Sequence, residues 1–175
     1  MRKVFHAIGG SFFPILFIFF PEDICFLLLY IALGFFFLFD ASRLFIPPLN
    51  RFLFSKYGFM FKDVERRRPT GSTVLLIASL VVFTFFPREI AITSLLFLSI
   101  GDPVSWLARK KPLMGVVMLV TCLLVGFLIK FTLFPLSITA VILGAVGASL
   151  GQLLPFPDDN FLIPALSALL MWSVS

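Results

Sequence analysis

Asp102 is the residue from which chemistry is most directly argued in this 175-residue chain. It follows the apolar run 90–100, and seven positions separate it from the next basic residue, Arg109. A carboxylate that deep in an apolar segment costs about 2.5–3.5 kcal/mol unless it is paired or lines a cavity. Gly101 and Pro103 flank it. That pair predicts a broken helix, which is tolerated at such depth only beside protein or water. The plainer alternative is a structural ion pair with an arginine of the 66–68 run.

Other reactive side chains recur in short clusters. Asp158, Asp159 and Asn160 open the last apolar run; they suit a helix cap and equally a metal site. Arg2, Lys3 and His6 share one helical face by their spacing of three and four. His6, the only histidine, is either a packing residue or a phosphate ligand or base. Glu65, Arg66, Arg67 and Arg68 precede Thr70, Gly71 and Ser72. Arginine forks bind phosphate oxygens in pairs, and Thr70 or Ser72 can cap the following helix and expose its amides to an anion. The same basic run also serves to set topology. Asp40 and Arg43 lie at the end of the second apolar run, ahead of the long polar stretch that holds this segment.

Basic groups hold phosphates, and carboxylates hold Mg²⁺, which takes a few carboxylates together with substrate phosphate oxygens. Such a set is the equipment of phosphoryl or nucleotidyl transfer, where catalysis is mainly positioning and charge neutralisation. The acceptor would be a membrane lipid, and the partners are therefore that lipid and a nucleotide. Nucleic acid is not expected as a partner, because the net charge of +5 sits in short loops between apolar runs. A homo-oligomer is compatible with everything in the sequence.

The elements that must position these residues are membrane helices. The chain is 60% hydrophobic and only 13% charged, with a mean hydropathy of +1.10; a water-soluble domain is about half apolar and a quarter charged. An all-α, polytopic bundle of one domain, residues 1–175, is expected. Seven spans are predicted at roughly 4–20, 23–40, 71–87, 89–108, 113–130, 133–151 and 160–175. Breaks fall at Pro21, Pro87, Pro112, Pro135 and Pro157. Between spans two and three, Phe45, Leu49, Phe52, Leu53 and Tyr57 recur at helical spacing among Arg43, Arg51 and Lys56. That pattern predicts an amphipathic helix in the membrane interface, starting at Pro47–Pro48.

Seven spans place Arg2, Lys3, Arg43, Arg51, Lys56, Lys62, Arg66, Arg67, Arg68, Arg109, Lys110 and Lys111 on one side, and only Arg88 and Lys130 on the other. The bias predicts a cytoplasmic N-terminus and a cytoplasmic site face. Nothing resembles a cleavable signal, so the N-terminal segment is expected to remain in the fold. Cys25 and Cys122 lie within apolar runs and read as small hydrophobes. The rows Ala140, Gly144, Ala148 and Gly147, Gly151 predict close helix packing. No phosphate loop or dinucleotide fingerprint is present, and no repeat with paired broken helices favours a transporter.

The order of these motifs resembles the dolichol kinase, phytol kinase and CTP-dependent diacylglycerol kinase family of membrane enzymes, related to phosphatidate cytidylyltransferases. The matching pieces are Arg2-Lys3-x-x-His6 with Gly9-Gly10, Asp40-x-x-Arg43, Glu65-x-x-Arg68-x-Thr70-Gly71-Ser72, the Phe86–Ala91 stretch, Gly101-Asp102-Pro103, Lys111-x-x-x-Gly115 and Asp159-Asn160-x-x-x-Pro164. The resemblance implies transfer of a phosphoryl group from a nucleoside triphosphate, often CTP, to a lipid hydroxyl, on an isoprenoid alcohol or diacylglycerol. By that likeness Asp102 and Asp159 serve the metal and nucleotide, with Asn160 beside them. Lys3, Arg43, Arg66, Arg68 and Lys111 are the phosphate-binding candidates. His6, Asp40 or Glu65 would accept the hydroxyl proton. Pro112, Met114 and Val116 stand where the family carries Ser, Glu and Ser. Two alternatives therefore stay open: cytidylyl transfer to a lipid phosphate, and a non-catalytic lipid-binding protein.

Overall fold

The computed structural model describes the backbone of residues 2–154 and 158–175, and within those ranges the side chains from Ala7 onward. Among the described residues every regular element is helical. The chain runs through α1 (Arg2–Phe19), α2 (Glu22–Phe45), α3 (Pro47–Tyr57), α4 (Gly71–Phe85), α5 (Arg88–Leu96), α6 (Asp102–Ser105), α7 (Lys111–Thr132), α8 (Ile138–Leu153) and α9 (Asp159–Trp172). Two single 3-10 turns, Gly58–Met60 and Asp63–Arg66, carry the chain from α3 to α4.

Helix boundaries follow local chemistry. Pro21 and Pro87 stand immediately before α2 and α5, and Pro112 occupies the first turn of α7. Proline lacks the N–H that a first turn leaves unused, and its fixed φ suits that position. Thr70, Ser137 and Asp158 cap α4, α8 and α9 with side-chain oxygens. Helix α8 begins five residues later than the sixth expected span, because Pro135 interrupts the run and Ser137 supplies the cap. The fifth expected break, at Pro157, lies outside the described residues.

Among the described residues three helical stretches are long and apolar enough to cross a membrane: Glu22–Phe45, Arg88–Ala108 and Lys111–Thr132. Ala7–Phe19, Gly71–Phe85, Ile138–Leu153 and Asp159–Trp172 are apolar but shorter. At 1.5 Å per residue, 14–16 residues reach only about 21–24 Å, less than the ~30 Å hydrocarbon core. The stretch Arg88–Ala108 is the central one. Over its apolar 18-residue window 72% is buried inside the protein, against 17% in the corresponding window of α2 and 28% in that of α7.

The expected break at Gly101–Pro103 does not occur. The chain stays helical from Arg88 to Ala108, but a wide π turn spans Phe97–Gly101, immediately before Asp102. Pro103 offers no N–H to the turn before it, and the extra residue in the π turn accommodates that loss. Gly101 answers a packing demand: a Cβ there would lie 2.6 Å from Met118 Sδ and 3.1 Å from Cys122 Sγ of α7. Cys25 and Cys122 are both buried and free, as small hydrophobes.

Small residues seat α8 against α9. A Cβ on Gly147 would lie 2.7 Å from the Leu166 carbonyl oxygen, and one on Gly151 would lie 2.8 Å from Ile163 Cα. Backbone meets backbone there, as the spacing predicted. In lipid, where burial of apolar surface drives little, such close packing is what holds helices together. It also fixes the start of α9, which carries Asp159 and Asn160. Helix α3 begins at Pro47, as expected, and contains no buried residue.

Candidate functional site

A cavity of about 400 Å³ opens where α1, α2, α4, α6 and α9 meet the segment after α3. Its apolar wall includes Phe36, Phe39, Phe61 and Leu75; its polar wall includes Lys62, Glu65, Asp102 and Asn160. Gly9 and Gly10 of α1 complete it. A Cβ on Gly10 would lie 2.9 Å from Ser99 Cβ, so this glycine lets α1 close on the π turn. Gly9 faces open space.

One buried guanidinium shapes the segment that forms the polar wall. Arg43, in the last turn of α2, is fully buried. Its Nε donates to Asp40 Oδ1, its Nη1 to the Glu65 carbonyl and its Nη2 to the Arg68 carbonyl, each at 2.6 Å. The second Asp40 oxygen accepts from the Thr70 amide at 2.7 Å and the Thr73 hydroxyl at 2.6 Å. A fork with several fixed donors is suited to gathering separated carbonyls. The result draws the 63–70 segment onto α2 and starts α4.

Glu65 extends the lock. One carboxylate oxygen accepts from the Lys62 amide and the other from the Gly71 amide, both at 2.8 Å. The Gly71 carbonyl accepts from Asn160 Nδ2 at 3.3 Å. Gly71 is squeezed between these partners: a Cβ would lie 2.7 Å from Asn160 Nδ2 and 3.2 Å from Glu65 Oε1. Asn160 is in turn oriented by its own amide, which donates to Asp158 Oδ1 at 2.9 Å.

The Lys62 ammonium donates to Asp159 Oδ1 at 2.9 Å, with both side chains still partly exposed. Burial works against the charge on Lys62. The opposing fields of Asp159, Asp158 and Glu65 prevail and hold its pKa above the usual lysine value. Asp158 is pushed up to about 6, first by burial and then by its neighbour Asp159, while Lys62 pulls it down.

The expected residues whose side chains are described separate into three groups. Asp102, Glu65 and Asn160 share the cavity wall, and Asp159 joins them through Lys62. Asp40 and Arg43 stand behind the wall in a buried hydrogen-bond network, so Arg43 is a strut for the segment and does not line the cavity. Arg66, Arg68 and Lys111 are exposed and lie off the wall; Arg66 rests over the Phe54 ring, 5.1 Å from its centre. The side chains of Lys3 and His6 lie outside the described residues. In sequence His6 is one turn before Gly9 and Gly10 on α1. Lys62 is the cavity residue that sequence reasoning missed. Its only signal was the Lys62-x-x-Glu65 spacing ahead of a capped helix.

No group of three His, Cys, Asp or Glu side chains is arranged as a metal cage among the described residues. Asp102 lines the cavity and Asp159 does not; Mg²⁺ that arrives with phosphate oxygens takes only one or two protein carboxylates. Among the described residues the cavity places one cation, two carboxylates and an amide against an aromatic wall. That arrangement suits a ligand with an anionic end and an apolar body. No family model, curated protein or solved structure matches this chain.

Proposed function

We propose that this protein is an integral membrane lipid kinase that moves the terminal phosphoryl group of a nucleoside triphosphate, CTP, to a lipid hydroxyl of an isoprenoid alcohol or diacylglycerol. The observation that carries the reading is the joining of Asp102, Glu65 and Asn160, far apart in sequence, in one cavity that also has an aromatic wall. The motif order, Gly101-Asp102-Pro103 and Asp159-Asn160 above all, supports it.

In this reading seven helices cross the bilayer and α3 lies in the cytoplasmic interface. Lipid enters along the Phe36, Phe39 and Leu75 side of the cavity. The hydroxyl oxygen bonds to the terminal phosphorus, the bond from that phosphorus to the bridging oxygen breaks, and nucleoside diphosphate leaves. Mg²⁺ bound with the nucleotide would be held by Asp102 and Asp159 and would neutralise phosphate charge. Asn160 orients the phosphates by hydrogen bonding. The hydroxyl proton goes to His6: Asp40 and Glu65, the other two acceptor candidates, already accept from fixed donors. Lys3, Arg66, Arg68 and Lys111 supply a positive approach to the site for an anionic nucleotide.

The test is purified protein in lipid nanodiscs with γ-labelled CTP or ATP and a panel of lipid alcohols. Label in the lipid is the expected result. Pyrophosphate release with a lipid nucleotide product would instead identify a cytidylyltransferase. Absence of nucleotide binding at millimolar concentration would identify a non-catalytic lipid-binding protein.

A further inference from the structure

We propose that Lys62 is the side chain that receives a phosphate group entering the cavity, and that its ion pair with Asp159 is the resting contact it leaves to do so. The inference rests on the reading of the cavity as a phosphate-handling site. It names the phosphate-binding cation, which the motifs assign to other residues.

Lys62 is the one basic side chain on the cavity wall among the described residues. Of the phosphate-binding candidates whose side chains are described, Arg43 is buried on Asp40 and two carbonyls, and Arg66, Arg68 and Lys111 lie off the wall; the side chain of Lys3 lies outside the described residues. The Lys62 backbone is pinned, because its amide donates to Glu65 Oε2 at 2.8 Å. Its side chain is not pinned in the same way. It holds one carboxylate oxygen at 2.9 Å and is 29% exposed. An ammonium has three donors on a flexible four-carbon stem. A phosphate within reach presents more negative charge than a single carboxylate, so the ammonium turns to it.

The exchange does useful work at both ends. While the site is empty of phosphate, Asp159 screens Lys62 and Lys62 offsets the two adjacent carboxylates, Asp158 and Asp159. When phosphate arrives, Lys62 gives up its bond to Asp159 Oδ1 as a cation accompanying that phosphate needs a ligand. The chemistry is common to a nucleotide and to a lipid phosphate, so both sources enter the test.

The experiment is calorimetric titration of the full chain in nanodiscs with CTP, and separately of the chain in nanodiscs containing phosphatidate, both with EDTA present. Lys62→Met, Lys62→Arg and Asp159→Asn are compared with the unaltered protein. Lys62→Met is expected to weaken phosphate binding at least tenfold, Lys62→Arg to retain most of it, and Asp159→Asn to tighten it by freeing the ammonium. Opposite signs for Lys62→Met and Asp159→Asn separate this role from a purely structural ion pair, whose loss from either side would weaken binding alike. The ligand source is read from which titration carries the effect. If the unaltered protein binds neither phosphate, the phosphate reading of the cavity falls and this inference with it. If it binds one and Lys62→Met binds equally well, or if both variants weaken alike, only the role of Lys62 is overturned.

Discussion

Asp40 and Arg43, three residues apart on α2, form a buried ion pair whose other bonds reach across more than twenty residues of chain. Arg43 holds the carbonyls of Glu65 and Arg68, and Asp40 holds the Thr70 amide. Removing one member leaves the other as a buried, uncompensated charge, which costs about 3–5 kcal/mol. Arg43→Met is expected to lose that much in unfolding by denaturant in mixed micelles. Asp40→Asn with Arg43→Met should lose less than the sum of the single changes, because the two sites are coupled. Strict additivity would show that the pair does not act as a unit.

The contrast between Gly147 and Gly34 tests the packing argument. Ala in place of a helix-interior Gly normally gains about 0.5–1 kcal/mol. Gly34→Ala, with nothing within 4 Å of the added Cβ, should gain or remain neutral. Gly147→Ala, with the Leu166 carbonyl oxygen at 2.7 Å, should lose about 1–3 kcal/mol and reduce activity, because α9 carries Asp159 and Asn160. Equal effects in an unfolding assay would contradict the close approach of α8 and α9.

These two sites show what the sequence could and could not disclose. Gly147 and Gly151 announce their partner surface by spacing alone, and Pro21, Pro87 and Thr70 announce helix starts, because both signals are local. The role of Arg43 is not local. An arginine three residues after an aspartate, in a chain with an arginine-rich run further on, reads as a phosphate ligand until the carbonyls of Glu65 and Arg68 are seen around it. Lys62 is hidden for the same reason, since its partner Asp159 lies 97 residues away. The π turn at Phe97–Gly101 replaces an expected break because packing against α7 holds Gly101 in helix.

Asp158 should titrate near pH 6 in the folded protein, against 3.8 ordinarily. A raised carboxyl pKa means that the folded state binds the proton more tightly. Its stabilising contribution is fully present below about pH 4 and is lost as pH rises through about 6. Carboxyl-carbon NMR of aspartate-labelled protein in EDTA reads the midpoint directly. Lys62→Met should raise it further, because Lys62 pulls it down. A midpoint near 4 would contradict the buried, crowded environment assigned to this group.

Topology is open to cysteine labelling. In a background with Cys25 and Cys122 replaced, Lys56→Cys and Lys110→Cys should react with an impermeant maleimide from the cytoplasmic side, and Asp23→Cys from the opposite side. Reaction of Lys56→Cys and Lys110→Cys from opposite faces would contradict the seven-span arrangement.

The central claim is that the cavity holding Asp102 carries out phosphoryl transfer. Single-turnover transfer of labelled γ-phosphate to a lipid alcohol, compared between the unaltered protein and Asp102→Asn in nanodiscs, tests it most directly. The account predicts at least a hundredfold slower transfer in Asp102→Asn, with the far-UV spectrum and lipid binding retained. Transfer at the unaltered rate in that variant would contradict it.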